Sequence, residues 1–122
     1  MQGMFLGPKS SNLIDKAMKL NKESALIQKL YANSKLFTPE MWGGSLDEAI
    51  DAYEKSISLY EKQHDQLKYN WLYLDALAFL GQSYYKKGDY AKAVATYEKA
   101  LAAEPAFVWV KQVLLPKVRA TQ

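Results

Sequence analysis

The chain has one histidine, His64, and it stands beside Asp65. An imidazole next to a carboxylate could move a proton, but a triad also needs a nucleophile and a metal site needs three or four ligands at set spacing. Neither accompanies the pair, so the expectation for His64 is solvated surface. Acidic side chains are more numerous. Asp47, Glu48, Asp51, Glu54, Glu61 and Glu98 occupy helix faces beside Lys at helical spacing, where charge pairing explains them without a general acid. Gly43-Gly44 lacks the glycine pattern and the Lys of a phosphate loop. Cysteine is absent, which removes disulfides, thiolate metal sites and a Cys nucleophile together. These residues form no catalytic constellation, and the expectation is a protein that is not an enzyme and holds no cofactor or metal.

The elements that carry these residues are legible from their periodicity. In "DYAKAVATYEKAL", Tyr90, Ala93, Val94, Tyr97, Ala100 and Leu101 recur at steps of three and four, which lays them on one stripe of a helix. In "SLDEAIDAYEKSI", Leu46, Ala49, Ile50, Tyr53, Ser56 and Ile57 do the same. Gly88 is suited to end a helix and Asp89 to cap the next, Ser45 with Glu48 reads as a capping box, and Pro105 suits the first turn of a further helix. "LDALAFLGQSYYKKG" is another helix, with Leu77, Leu80, Gly81 and Tyr84 on one face. A glycine there weakens an isolated helix by roughly 1 kcal/mol relative to Ala, so Gly81 is expected to let a neighbouring helix approach closely, with Ala93 and Ala100 as its small partners.

Composition agrees with a globular helical chain of 122 residues and mean hydropathy −0.30. No apolar run approaches the ~18 residues of a membrane span. Met1 to Pro8 holds an apolar Met4-Phe5-Leu6 without a basic n-region, so the expectation is a cytoplasmic protein as written, with export if the native start lies elsewhere. Sixteen Lys and Arg against thirteen Asp and Glu give a net charge of +3 with the signs interspersed, too mild a balance to argue for nucleic acid by itself.

The spacing of Leu77, Leu80-Gly81, Tyr84, Ala93, Tyr97, Ala100 and Pro105 resembles the tetratricopeptide repeat, with Leu for the leading Trp and Tyr for Phe. Leu74 to Phe107 matches in detail. Ile14, Ala17 and Lys22 stand where Tyr97, Ala100 and Pro105 stand later. The resemblance implies an all-α fold of antiparallel helical hairpins stacked as a short right-handed superhelix. It divides a single domain into a trailing helix of a partial repeat over 9–22, a first full repeat over 23–66 with an inserted loop at 38–45, a second over 70–104, and a closing helix over 105–118. Ala49 and Ala93 stand about ten residues further apart than one ~34-residue period, and the surplus falls in "EKQHDQLKYNW". The loop "TPEMWGGS" is similar to that of a bacterial subgroup carrying a Thr-Pro-x-x-aromatic-Gly-Gly turn, in which no enzymatic activity is known.

By the same resemblance the first helix of each hairpin lines a groove for an extended peptide or partner helix. The groove-facing candidates are Lys29, Asn33 and Leu36, then Asp75, Ala78, Gln82, Tyr85 and Lys86. Lys29 and Asn33 resemble part of the carboxylate clamp that grips chaperone tails, but Phe79, Trp109 and Val113 replace its other polar residues, so such a tail is not expected. The plainer reading of Lys29 and Asn33 is a solvated face. Among three Trp and nine Tyr, Tyr31, Tyr53, Tyr84 and Tyr97 are assigned to the core. Tyr69, Trp71 and Tyr73 cluster before the second repeat, and Trp71 and Trp109 are expected to be buried there and in the closing helix. Trp42 either plugs its own hairpin or offers a stacking anchor.

The leading functional expectation is a protein-interaction adaptor with a protein or peptide partner. The alternative is a homodimer formed through an apolar edge at Leu13, Ile14 and Met18. Nucleic-acid binding ranks last; it is prompted by an isoelectric point near 9.0 and the Tyr and Lys residues from Tyr84 to Lys87.

Overall fold

The computed structural model describes residues 7–63 and 70–121, with side chains from 13 to 62 and from 70 to 121. His64, Asp65, Tyr69 and most of the surplus before Trp71 lie outside the described residues. Among the described residues six α-helices follow in order: α1 (Gly7–Leu20), α2 (Ala25–Phe37), α3 (Leu46–Gln63), α4 (Trp71–Lys87), α5 (Tyr90–Ala103) and α6 (Leu115–Thr121). A 3-10 turn, Glu40–Trp42, lies between α2 and α3, and a π-helical stretch, Trp109–Leu114, leads into α6. Among the described residues there is no strand. Contacts divide the chain into two compact units, Met1–Leu59 and Tyr60–Gln122, with the division inside α3.

In the first unit α2 opens on Ser24, whose Oγ accepts from the Ile27 N–H at 3.2 Å, satisfying one of the orphan donors of a helix start. Side-chain hydrogen bonds tie α2 to α3. The buried Ser56 hydroxyl donates to the Ala25 carbonyl at 2.7 Å, the Tyr53 hydroxyl donates to Asn33 Oδ1, and the Tyr31 hydroxyl donates to Glu48 Oε1 at 3.0 Å. The partners broadly run backward along α3 as they run forward along α2, so the two helices are antiparallel. Between them Ala32, Ala49 and Tyr53 are fully buried.

The capping box at Ser45 forms by half. Ser45 Oγ accepts from the Glu48 N–H at 3.2 Å, but the Ser45 N–H goes to the Lys35 carbonyl at 3.1 Å. The Glu48 carboxylate is drawn away by Tyr31 and by Lys35 Nζ at 3.4 Å.

In the second unit Asn70 Oδ1 caps α4 by accepting from the N–H groups of Leu72 and Tyr73 at 3.1 and 3.2 Å. Gly88 closes α4 at φ 91°, and Asp89 Oδ1 accepts from the Lys92 N–H at 3.3 Å to start α5. The two helices cross where the sequence places its small residues. A Cβ built on Gly81 would sit 2.2 Å from Tyr97 Cε1, and Ala93 and Ala100 are fully buried beside it. After α5 the chain turns at Pro105–Ala106 instead of starting a helix there. The Ala106 N–H donates to Glu104 Oε2 and the Phe107 N–H to the Glu104 carbonyl, so Glu104 holds a turn and helical structure resumes at Val108. The π-helical widening just before Pro116 answers a local constraint: proline has no N–H to donate and its ring collides with the carbonyl four residues back. The Leu115 N–H accordingly reaches back five residues to the Val110 carbonyl.

Glu61, near the end of α3, ties that helix to α4 and α5 within the second unit. Its Oε2 accepts from the Tyr73 hydroxyl and from Lys99 Nζ, both at 2.7 Å. Burial alone pushes the carboxyl up, but the hydrogen bonds from Lys99 and Tyr73 and the Lys99 charge outweigh it and hold its pKa below the usual carboxylate value. Burial, with Glu61 as partner, drives the Tyr73 hydroxyl far up.

Two outcomes follow from these contacts. Gly81→Ala would gain roughly 1 kcal/mol in an exposed helix; here the Tyr97 ring is 1% exposed and has nowhere to move, so overpacking of about 1–3 kcal/mol should win and lower Tm, as thermal melting will read. Because the folded Glu61 pKa lies below the unfolded one, its stabilisation is present above the unfolded carboxyl pKa of about 4.3 and is lost as pH falls through the folded value. Glu61→Gln should therefore lower stability at pH 7 by no more than about 1 kcal/mol, the carboxylate being partly exposed, and the difference from the parent should vanish on acidification in parallel melts.

Candidate functional site

The outward stripe of α4 follows from helical spacing: Asp75, Phe79, Gln82 and Lys86 are separated by steps of four, three and four, and so share a face. All four are half-buried or exposed, while Leu74, Leu77, Ala78 and Tyr84 are buried. Of the groove candidates on this helix, Gln82, Tyr85 and Lys86 come together at one cleft of about 190 Å³, completed by Tyr97 from α5 and by Leu114, Lys117 and Val118 from the closing segment. Asp75 and Ala78 do not line it.

Tyr85 is the best-held of these side chains. Its hydroxyl lies 3.2 Å from Thr121 Oγ1, Lys117 Nζ stands 5.2 Å from its ring centre, and its ring packs at 5.4 Å on that of Tyr90. A cation over an aromatic face is attracted by the ring's negative face, so Lys117 is drawn toward the cleft. Behind it Tyr97 is driven up in pKa by burial, with a contribution from Tyr85, and stays a neutral wall. No carboxylate lines the cleft.

Towards the other end of α4 the surface turns aromatic. Phe79 meets Trp109 edge-on at 5.7 Å, Trp109 leans on Phe107 at 6.4 Å, and Trp71 stands edge-on to Phe107 at 5.7 Å. Phe107 is buried and Trp109 half-buried. Trp71 corrects the expectation of burial: it is 58% exposed, because it is the first residue of α4 and covers Phe107 from outside.

The first unit treats its candidates differently. Asn33 is half-buried and accepts from the Tyr53 hydroxyl; Leu36 is half-buried. Lys29 overturns the solvated-face reading, being 6% exposed. Its position explains this: Ala25, Gln28, Lys29 and Ala32 form the buried stripe of α2, so the Lys29 stem lies within the packed face. Tyr31, expected in the core, is half-buried in a polar cluster, with Lys35 Nζ 5.4 Å from its ring and its hydroxyl on Glu48. Burial first, then the hydrogen bond and charge of Glu48 and the charge of Asp15, push its pKa up to about 12.

The loop at 38–45 is closed by its own backbone. The N–H groups of Trp42 and Gly44 both reach the Pro39 carbonyl, at 2.9 and 3.0 Å, and that of Gly43 reaches Glu40 at 3.0 Å. Lys35 Nζ donates to the Gly43 carbonyl at 3.1 Å. Gly43 takes the left-handed conformation at φ 101°, and a Cβ on Gly44 would fall 1.7 Å from the Thr38 carbonyl oxygen, so both glycines are dictated by geometry. The result presents Trp42 at 57% exposure beside Met41, not plugged into its hairpin.

Lys117 and Thr121 escaped the sequence reading. Among the described residues no group of His, Asp or Glu could hold a metal ion, and no helix is long and apolar enough to cross a membrane.

Antiparallel helix pairs that cross at small residues define a helical-repeat protein. Residues 74–107 match the family model of the tetratricopeptide repeat, and the chain carries that repeat across α4 and α5. Its fold is shared with a crystal structure of MamA at a TM-score of 0.76 and 23% identity, over 98% of this chain and 61% of the MamA chain. No match was found among curated proteins. The repeat and fold are those of protein–protein interaction modules, typically non-catalytic scaffolds.

The loop geometry carries its own test. Gly44→Ala has only backbone to collide with and should open the turn, so limited proteolysis should cut faster after Lys35 than in the parent.

Proposed function

We propose that the chain is a non-catalytic adaptor that receives an extended peptide or a partner helix along the outward face of α4. The observation that carries this reading is the cleft that gathers Gln82, Tyr85 and Lys86, with Tyr85 already immobilised by Thr121, Lys117 and Tyr90. A side chain held before binding loses little entropy on binding, which is how modest surfaces reach useful affinity. Asp75 extends the same face. Lys29, Asn33 and Leu36 are the corresponding positions of the first unit, and Trp42 is a separate exposed anchor. In this reading α2 with α3 and α4 with α5 are the two full repeats, 23–66 and 70–104, preceded by the partial repeat 9–22 and followed by the closing helix 105–118.

A second reading has its own observation. Leu13 and Leu20 on α1 are 66% and 86% exposed, which supports a homodimer formed through that helix.

A photo-crosslinking amino acid in place of Gln82 should capture a protein from the source cells, and one in place of the exposed Ala102 should not. Capture that persists after Tyr85→Ala and Lys86→Ala would remove the α4 face as the site. Light scattering addresses the dimer: a mass of one chain at low micromolar concentration sinks it.

A further inference from the structure

The cleft between α4 and the closing segment is specific in its size and charge. At about 190 Å³ it falls below the roughly 300–1,000 Å³ of small-molecule sites and suits a single side chain, the anchor of a longer chain lying on the surface. Its apolar wall is Tyr97, Leu114 and Val118, and its polar rim is Gln82, Lys86 and Lys117, with no acidic residue among the lining. Two lysines and no carboxylate among the lining of a part-apolar cleft favour an anion and disfavour a cation there. The amide of Gln82 supplies a further donor.

Beyond that rim the face of α4 becomes aromatic at Phe79 and Trp109, and a terminal carboxylate would find no polar grip there. From these observations we propose that the cleft takes the acidic side chain, Glu or Asp, of a peptide segment whose neighbouring residues are apolar and rest on Phe79 and Trp109. This rests on the adaptor reading above and adds the partner's chemistry to it.

The test uses the full chain and a positional-scanning array of acetylated, amidated nonapeptides in which the central residue is fixed as Glu, Asp, Gln, Lys or Leu. Peptides with a central Glu or Asp should bind about tenfold more tightly than their Gln counterparts, the value of one charge-assisted contact at a part-exposed site, and the ratio should shrink with added salt. The double variant Lys86→Glu, Lys117→Glu should transfer the preference to Lys, and Lys86→Gln, Lys117→Gln should abolish it; an unchanged melting curve shows that either variant folds. Peptide binding that is lost in Tyr85→Ala but shows no preference for an acidic centre would overturn the inference and leave the groove reading standing. Binding insensitive to Tyr85 and to both lysines, or no binding by any peptide, would overturn both. A second array of the same peptides with free C-termini is run beside it, and binding confined to that array would replace the side-chain carboxylate with a main-chain one and defeat the proposal.

Discussion

The contact between Gly81 and the Tyr97 ring sets the distance between α4 and α5, and the remaining geometry of the second unit depends on that distance. With no side chain at Gly81, the Tyr97 ring occupies the place a Cβ would take and is almost wholly buried. Ala93 and Ala100, on the same stripe of α5, are fully buried as well. A crossing this tight buries the inner stripe of α4 and leaves Asp75, Phe79, Gln82 and Lys86 half-buried or exposed on another. The outward stripe is therefore a consequence of packing.

The same ring links packing to the candidate site. Tyr97 closes the floor of the cleft from below, so the residue that fixes the helix pair also forms the wall against which a bound side chain would rest. Tyr85 extends this link outward. Its hydroxyl on Thr121, its ring under Lys117 and its packing on Tyr90 join α4, α5 and α6 at one place. The cleft is thus bounded by elements that the fold already holds, with its two lysines on separate helices.

Much of this was legible in the residues, and the reasons for the rest are physical. Caps are local chemistry, so Ser45, Gly88 and Asp89 announced helix ends that the structure contains. The stripe through Gly81, Ala93 and Ala100 announced a close crossing because a small residue in a helix needs a packing reason. Burial of polar stems is not local: Lys29 occupies the inner stripe of α2, and its charge alone pointed outward. Tyr31 has the aromatic bulk of a core residue, but a carboxylate one helix away claims its hydroxyl. Pro105 fits a helix start and forms a turn because the Glu104 side chain takes the Ala106 N–H. The contribution of Lys117 to the cleft depends on the path of the chain through the π-helical stretch before Pro116, and no periodicity of 3.6 could have given that path.

The perturbed groups bear on what kind of site this is. A catalytic acid or base works best with a pKa near the operating pH. Here the shifts run the other way. Burial pushes the Tyr31, Tyr60, Tyr73 and Tyr97 hydroxyls further above neutrality, and the Lys99 and Tyr73 contacts hold the Glu61 carboxyl further below it. Each group is fixed more firmly in the protonation state it already has at pH 7, with Tyr31 and Tyr73 as phenol donors and Glu61 as a carboxylate acceptor. Such groups make reliable hydrogen-bond partners and poor proton shuttles. The adaptor proposed above asks no more than this of these groups, and its selectivity would come from the sign of the charge brought to Lys86 and Lys117.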